Sequence, residues 1–275
     1  MTSHHEYETT SADGTRLTIY RWNESGTHNI FLLHGYASHS LHLETLALFL
    51  AQQGYRVTAL DVRGHGKSEG LRGDIDMWVR YEEDILAAIS TIRAPFIAIA
   101  MGSGGLALLS TMRGSITPSL RGIILANPLV GVLNPPSLFR SLLLRISMRL
   151  PRPIRISNLF RNEQLAFAHE VIKSYEQDPY FFAKTSLRFL QGMLCTQKSI
   201  WKAIQQMSTP ALILISGNDS IADPEASEEL CKHYAGVCSK KRYHKSAHLL
   251  LEDQEKETVF ADILSWLRSQ PSWDQ

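Results

Sequence analysis

Three stretches carry residue types that together can perform acyl transfer: Gly102-Ser103-Gly104-Gly105, Asp219, and His248. A serine hydroxyl can attack an acyl carbon, a histidine can take its proton, and an acid can orient the histidine. Phe96 to Ala100 is an apolar run of strand length, the glycine-rich turn follows, and Leu106 to Leu109 opens a helical pattern. Strand, tight turn and helix with a serine in the turn form the layout of a nucleophile elbow, where the reactive side chain stands clear of the backbone. That elbow calls for a small residue two before the nucleophile and glycine two after. With Ser103 as nucleophile, Gly105 meets the second condition but Met101 occupies the first position. With Gly102 as apex, Ala100 and Gly104 meet both, and the apex carries no nucleophile.

The acid and the histidine are chosen by position. Asp219 and Asp223 both follow the apolar run Ala211 to Ile215, where an acid can orient a histidine. Asp223-Pro224 suits a helix N-cap with proline at the first helical position, which leaves Asp219 as the acid. Of eleven histidines, His248 follows Ser246-Ala247 and precedes Leu249-Leu250-Leu251, whereas His244 lies between Tyr243 and Lys245 as a surface residue would. His248 is therefore the expected general base. His34-Gly35-Tyr36 ends another apolar run and can present the Tyr36 N–H to an oxyanion, although a glycine at such a turn is common. Tyr36 and Gly104 would supply the two donors in the Ser103 register, and Tyr36 and Ser103 if Gly102 is the apex. Elbow, acid, histidine is the chain order of one hydrolase class.

The elements that must position these residues alternate. Runs at 6–11 and 16–22 flank Asp13-Gly14 as a hairpin, and strands are expected at 29–33, 55–60, 96–100, 121–126, 211–215 and 236–243. Helical spacing fills 43–53, 77–92, 224–235 and 255–268. Strands alternating with helices imply an α/β fold with a mostly parallel sheet covered on both faces. Residues 132–207 break the rhythm and read as an insertion over the sheet's carboxyl edge, dividing a core of 1–131 and 208–275.

Composition narrows the partners. Apolar content of 44%, charge of 20% and a net charge of +1 describe an ordinary globular chain with no call for nucleic acid. Cys195, Cys231 and Cys238 are odd in number and lack metal-ligand spacing, so reduced, mostly buried thiols are expected and no metal or other cofactor is implied. The N-terminal MTSHHEYETT is too polar and acidic for a secretory signal, and no apolar run approaches the roughly 20 residues of a membrane span. The default expectation is a cytoplasmic protein.

Ala59 to Gly70, ALDVRGHGKSEG, resembles the Asp-x-Arg-Gly-His-Gly-x-Ser-x-Gly stretch of the monoacylglycerol lipase and lysophospholipase group within the α/β-hydrolase superfamily (serine aminopeptidase-like hydrolases). LLHGYASHS at 32–40, SGNDSIADP at 216–224 and SAHLLLEDQ at 246–254 extend the resemblance over nearly the whole chain. It implies an eight-stranded hydrolase sheet with a helical lid, and hydrolysis of a lipid-like carboxylic ester through an acyl-enzyme. The group's Gly-His-Ser-Met-Gly-Gly elbow, laid on without gaps, places Gly102 where the serine stands. Three explanations follow: an elbow shifted so that Ser103 reacts, a pseudoenzyme that binds acyl lipids, or a substituted nucleophile. An aspartate nucleophile is disfavoured, because no acid lies within 98–106. The resemblance also makes the insertion a lid over an acyl pocket. Its segment 138–162 holds Arg140, Arg145, Arg149, Arg152, Arg155 and Arg161 among leucines with no acid, a pattern suited to anionic membrane surfaces.

Overall fold

The computed structural model describes residues 4–92, 94–113, 119–133, 150, 152–157 and 162–270. Eight strands form one sheet: β1 (His5–Thr10), β2 (Arg16–Trp22), β3 (His28–Leu33), β4 (Tyr55–Leu60), β5 (Phe96–Met101), β6 (Leu120–Ala126), β9 (Ala211–Ser216) and β10 (Cys238–Tyr243). Their order is β1-β2-β4-β3-β5-β6-β9-β10, with β2 antiparallel to both its neighbours and every other pairing parallel. The central strands are apolar throughout because both sheet faces are covered. Alternate residues of β3 divide between two cores. Phe31 and Leu33 pack with Ile85 and Leu108 of α2 (Val79–Ile89) and α3 (Ser103–Thr111). Ile30 and Leu32 pack with Leu46 and Ile263 of α1 (Glu44–Gln52) and α7 (Lys256–Arg268).

The stretch that carries the family resemblance is scaffold. Asp61, fully buried, accepts from the Ser40 N–H at 2.7 Å and the Lys67 N–H at 2.9 Å, which ties the loop after β3 to the loop after β4. Arg63 forks onto buried Asp84, with Nε at 2.9 Å and Nη2 at 2.6 Å, and reaches Asp13 through Nη1 at 2.6 Å. Gly66 is obligatory here: its φ is +47°, and a Cβ would stand 1.9 Å from Asp61 Oδ2.

Between β6 and β9 the chain passes through β7 (Arg155–Ser157), α4 (His169–Gln177), β8 (Lys184–Ser186) and α5 (Leu187–Ala203), with β7 and β8 paired antiparallel. This stretch holds to loops at the carboxyl edge of the sheet. The Ser186 N–H donates to Gly73, Arg188 pairs with Asp74, and the Leu249 N–H donates to Leu165. Arg140, Arg145, Arg149 and Arg161 of the expected basic segment lie outside the described residues, while Arg152 and Arg155 are exposed. Among the described residues no helix is long and apolar enough to cross a membrane.

Two expectations are corrected. Cys231 in α6 (Pro224–His233) and Cys238 opening β10 form a disulfide with Cα atoms 5.5 Å apart, because the reversal between α6 and β10 brings them together. Cys195 is a free cysteine but is exposed. The glycine-rich turn expected at 102–105 is one residue long, since α3 begins at Ser103 immediately after Gly102.

Candidate active site

β5 delivers the chain to the carboxyl edge in the middle of the sheet, and Gly102 makes the whole bend into α3. Its φ of +56° and ψ of −122° lie where L side chains are strained, and such strain concentrates at reactive positions. A Cβ placed on Gly102 would stand 3.2 Å from His248 Nε2 and 3.7 Å from Cε1. The apex of the elbow is thus Gly102, and it faces the histidine. Ser103, expected as the nucleophile, instead takes the first helical position. It lines a cavity of about 10 Å³ with His34, Gly35, Val62, His65, Tyr81, Gly104 and Ala107, a set that does not include His248. Among the described residues His65 Nε2 and Tyr81 Oη, both buried and both at this cavity, have no hydrogen-bond partner.

The sequence-expected acid and base do meet. His248 Nδ1 lies 2.7 Å from Asp219 Oδ2, and both residues are buried. Asp219 Oδ1 accepts from the Ile221 and Ala222 N–H groups at 2.8 and 3.0 Å, so the other oxygen is free to orient the ring. With the Nδ1 proton committed to the carboxylate, Nε2 keeps its lone pair toward Gly102. Asp223 accepts from the Glu225 N–H at 3.0 Å as the N-cap of α6, with Pro224 after it.

The opposite wall is the loop after β3. His34 Nδ1 donates to the Gly35 carbonyl at 2.7 Å and Nε2 accepts from the Val62 N–H at 3.2 Å, which fixes the Gly35–Tyr36 turn. Tyr36 is anchored by its hydroxyl on the Gly73 carbonyl at 2.8 Å and by stacking on Phe189 at 3.8 Å. Among the described residues the Tyr36 and Ser103 N–H groups donate to no backbone carbonyl. Gly35, the residue before Tyr36, has its Cα 3.8 Å from a Cβ built on Gly102, and Ser103 opens α3, whose N-terminal end favours negative charge. Gly104, expected as the second donor, lies one residue deeper in the helix and is glycine for packing, since a Cβ there would meet the His34 carbonyl at 2.3 Å.

Burial pushes the His34 imidazole down to about 4. The unfolded chain, with an ordinary histidine, binds a proton that the folded chain refuses between about pH 6.5 and 4. Stability contributed by His34 is therefore complete above about 6.5 and lost as pH falls, by up to about 3 kcal/mol. Urea midpoints at pH 7 and 4.5 check this: the drop should shrink in His34→Gln, and an unchanged drop would contradict it.

Sequence reasoning missed Asn127. It follows β6 directly at a φ of +44°, its Oδ1 accepts from the Ser216 N–H at 2.7 Å, and its Nδ2 donates to Ser216 Oγ at 2.9 Å and the His248 carbonyl at 2.8 Å. It thereby fixes the backbone of the base against the strand that carries the acid. Asn127→Gly keeps the backbone unstrained and removes only these bonds, so a urea melt should register a loss of about 2 to 4 kcal/mol. The signal was present as a polar residue before Pro128 at a strand end. Asp253 acts similarly, accepting from the Ala247, Phe167 and Ala168 N–H groups at 2.7 to 3.0 Å.

The sequence pattern of the serine aminopeptidase, S33 family (Hydrolase_4) matches residues 25–255. The human monoglyceride lipase is 27% identical, the match covering 94% of this chain and 88% of that protein. An uncharacterized abhydrolase domain-containing protein of Dictyostelium discoideum is 26% identical over 87% of this chain, which spans only 26% of that longer protein. Among solved structures, a soluble variant of the Saccharomyces cerevisiae monoglyceride lipase in complex with a substrate analog superposes with a TM-score of 0.85 at 21% identity, covering 98% of this chain and 97% of that one. A family match over most of the length, on an eight-stranded hydrolase sheet, places this chain in the serine aminopeptidase, S33 family of α/β-hydrolases.

Proposed function

We propose that the chain hydrolyses carboxylic esters of lipid-like substrates of the monoacylglycerol type, with His248 activating water directly and no acyl-enzyme. The observation that carries this reading is the 3.2 Å between His248 Nε2 and the position a Gly102 Cβ would fill. That is hydrogen-bond range for a water oxygen standing where a serine side chain would be. His248 takes the water proton, the hydroxide adds to the acyl carbon, and the Tyr36 and Ser103 N–H groups hold the oxyanion. Collapse returns the proton from His248 to the departing alkoxide, giving acid and alcohol. Asp219 stabilises the imidazolium formed between these steps. The substrate class rests on the relatives named monoglyceride lipases.

Turnover of a p-nitrophenyl ester tests the reading. It should be linear without a burst, survive Ser103→Ala within about 3-fold, and fall by about 10²-fold or more in His248→Asn. A burst, or loss of turnover in Ser103→Ala, would favour an acyl-enzyme on Ser103. Turnover no greater than that of His248→Asn would leave a non-catalytic acyl-lipid binder, the reading favoured by the absent hydroxyl. The segment 132–207 is proposed as the lid, and its basic stretch should favour anionic vesicles in sedimentation. Equal binding to neutral vesicles would count against that.

A further inference from the structure

A second cluster of reactive side chains lies away from the Gly102–His248 pair, where the loop after β3 meets the insertion. His39 is the N-cap of a short 3-10 turn (Ser40–Leu43), His42 lies within that turn, and Asp178 caps the carboxyl end of α4. His39 Nε2 and His42 Nε2 both aim at one oxygen, Asp178 Oδ2, from 2.6 and 2.8 Å. The two nitrogens and that oxygen all lie within 4.8 Å of one another.

We propose that His39, His42 and Asp178 bind one divalent transition-metal ion, zinc by the chemistry of the donor set, and so pin the insertion to the loop that carries Tyr36. Two imidazole nitrogens and one carboxylate oxygen, with a fourth position left to water, are the ligand types of an open zinc site. Ideal tetrahedral bonds of about 2.0–2.2 Å would separate the donor atoms by about 3.3 Å, so each imidazole nitrogen needs to withdraw from Asp178 Oδ2 by less than about 1 Å.

The surroundings orient these groups as a metal requires. The Tyr180 N–H donates to Asp178 Oδ1 at 2.6 Å and leaves Oδ2 to face the imidazoles. His42 Nδ1 lies 3.0 Å from Ser38 Oγ, which continues to Tyr175 Oη at 3.4 Å and from there to Glu252 at 2.8 Å. A ligating histidine whose other nitrogen is held by such a chain keeps its tautomer and its ring direction. His42 is also stacked on Tyr175 at 3.9 Å, and the Tyr180 ring meets His39 edge-on. One contact must yield. The Leu41 N–H donates to His39 Nδ1 at 3.3 Å, and ligation through Nε2 moves the ring proton to Nδ1 and ends that long bond.

Sequence spacing could not reveal the set, because Asp178 is 139 residues from His39. The expectation that the chain offers no metal cluster is revised by this geometry.

Metal-free protein titrated with ZnCl₂ against a chromogenic chelator tests the proposal, since its readout is independent of ester turnover. One ion per chain should bind, with affinity falling about 100-fold or more in both His42→Ala and Asp178→Asn. Cobalt(II) should give the intense visible bands of a four-coordinate site in the native chain and lose them in the variants. Zinc at about 100 times its Kd should also raise Tm by about 5 °C or more. Asp178→Asn preserves side-chain shape and guards against a variant that fails to fold. Unchanged affinity in a folded variant, no stoichiometric binding, or loss of binding on replacing His4 and His5 instead would each overturn the proposal.

Discussion

Gly102→Ser is expected to turn a slow, burst-free ester hydrolase into a fast one that forms an acyl-enzyme. The new Oγ would arise at the apex, next to His248 Nε2, with Asp219 already oriented behind the ring at 2.7 Å. Removing a triad serine costs about 10⁶ in kcat, so full restoration would return about that factor. Two effects reduce it. A φ of +56° costs a non-glycine residue roughly 1–3 kcal/mol, and a contact of 3.2 Å asks the imidazole to shift by a few tenths of an ångström. Misplacement of about 1 Å costs about 10², which leaves an expected gain of about 10⁴-fold with a burst of p-nitrophenol. Stopped-flow measurement of that burst checks the expectation; no gain in a folded variant would mean that Gly102 is not the reactive apex.

Asp84→Ala should produce the largest loss of stability. Asp84 is fully buried and takes a forked pair of hydrogen bonds from Arg63, whose backbone N–H it also accepts at 3.1 Å. Removing one partner of a buried pair strands the other charge and costs about 3–5 kcal/mol. For a chain of this size that amounts to a fall in Tm on the order of 10 °C. Asp13, partly exposed, would keep its bond to Arg63, and its carboxyl is held well below the usual range by that guanidinium. Asp13→Ala should therefore cost much less, and equal losses in the two variants would contradict this ranking.

The strand–helix alternation and the ungapped family register placed the sheet and pointed to Gly102 as the residue in the serine position. Asp219 and His248 could be named because each follows a strand that ends at the same sheet edge, a relation the parallel alternation implies. The conflict at the elbow was legible but not its outcome, since a one-residue choice between Gly102 and Ser103 depends on a backbone dihedral. Composition could not foresee the Cys231–Cys238 bond, because an odd cysteine count says nothing about which two chain ends meet. The role of Asn127 could not be read from its position before Pro128 for a related reason: its amide serves Ser216 and His248, 89 and 121 residues away. The motif that carries the resemblance, Asp61 to Gly70, braces the loops after β3 and β4 through Asp61 and also places His65 in the wall of the Ser103 cavity.

With Gly102 at the apex, the native chain carries no covalent nucleophile there. The most direct measurement is the intact mass of the native protein after incubation with a fluorophosphonate probe, followed by peptide mapping, with Gly102→Ser treated in parallel. The expected result is no adduct on the native chain and a single adduct at position 102 in the variant. A stoichiometric adduct on Ser103 of the native chain would contradict the account and make the first residue of α3 the working nucleophile.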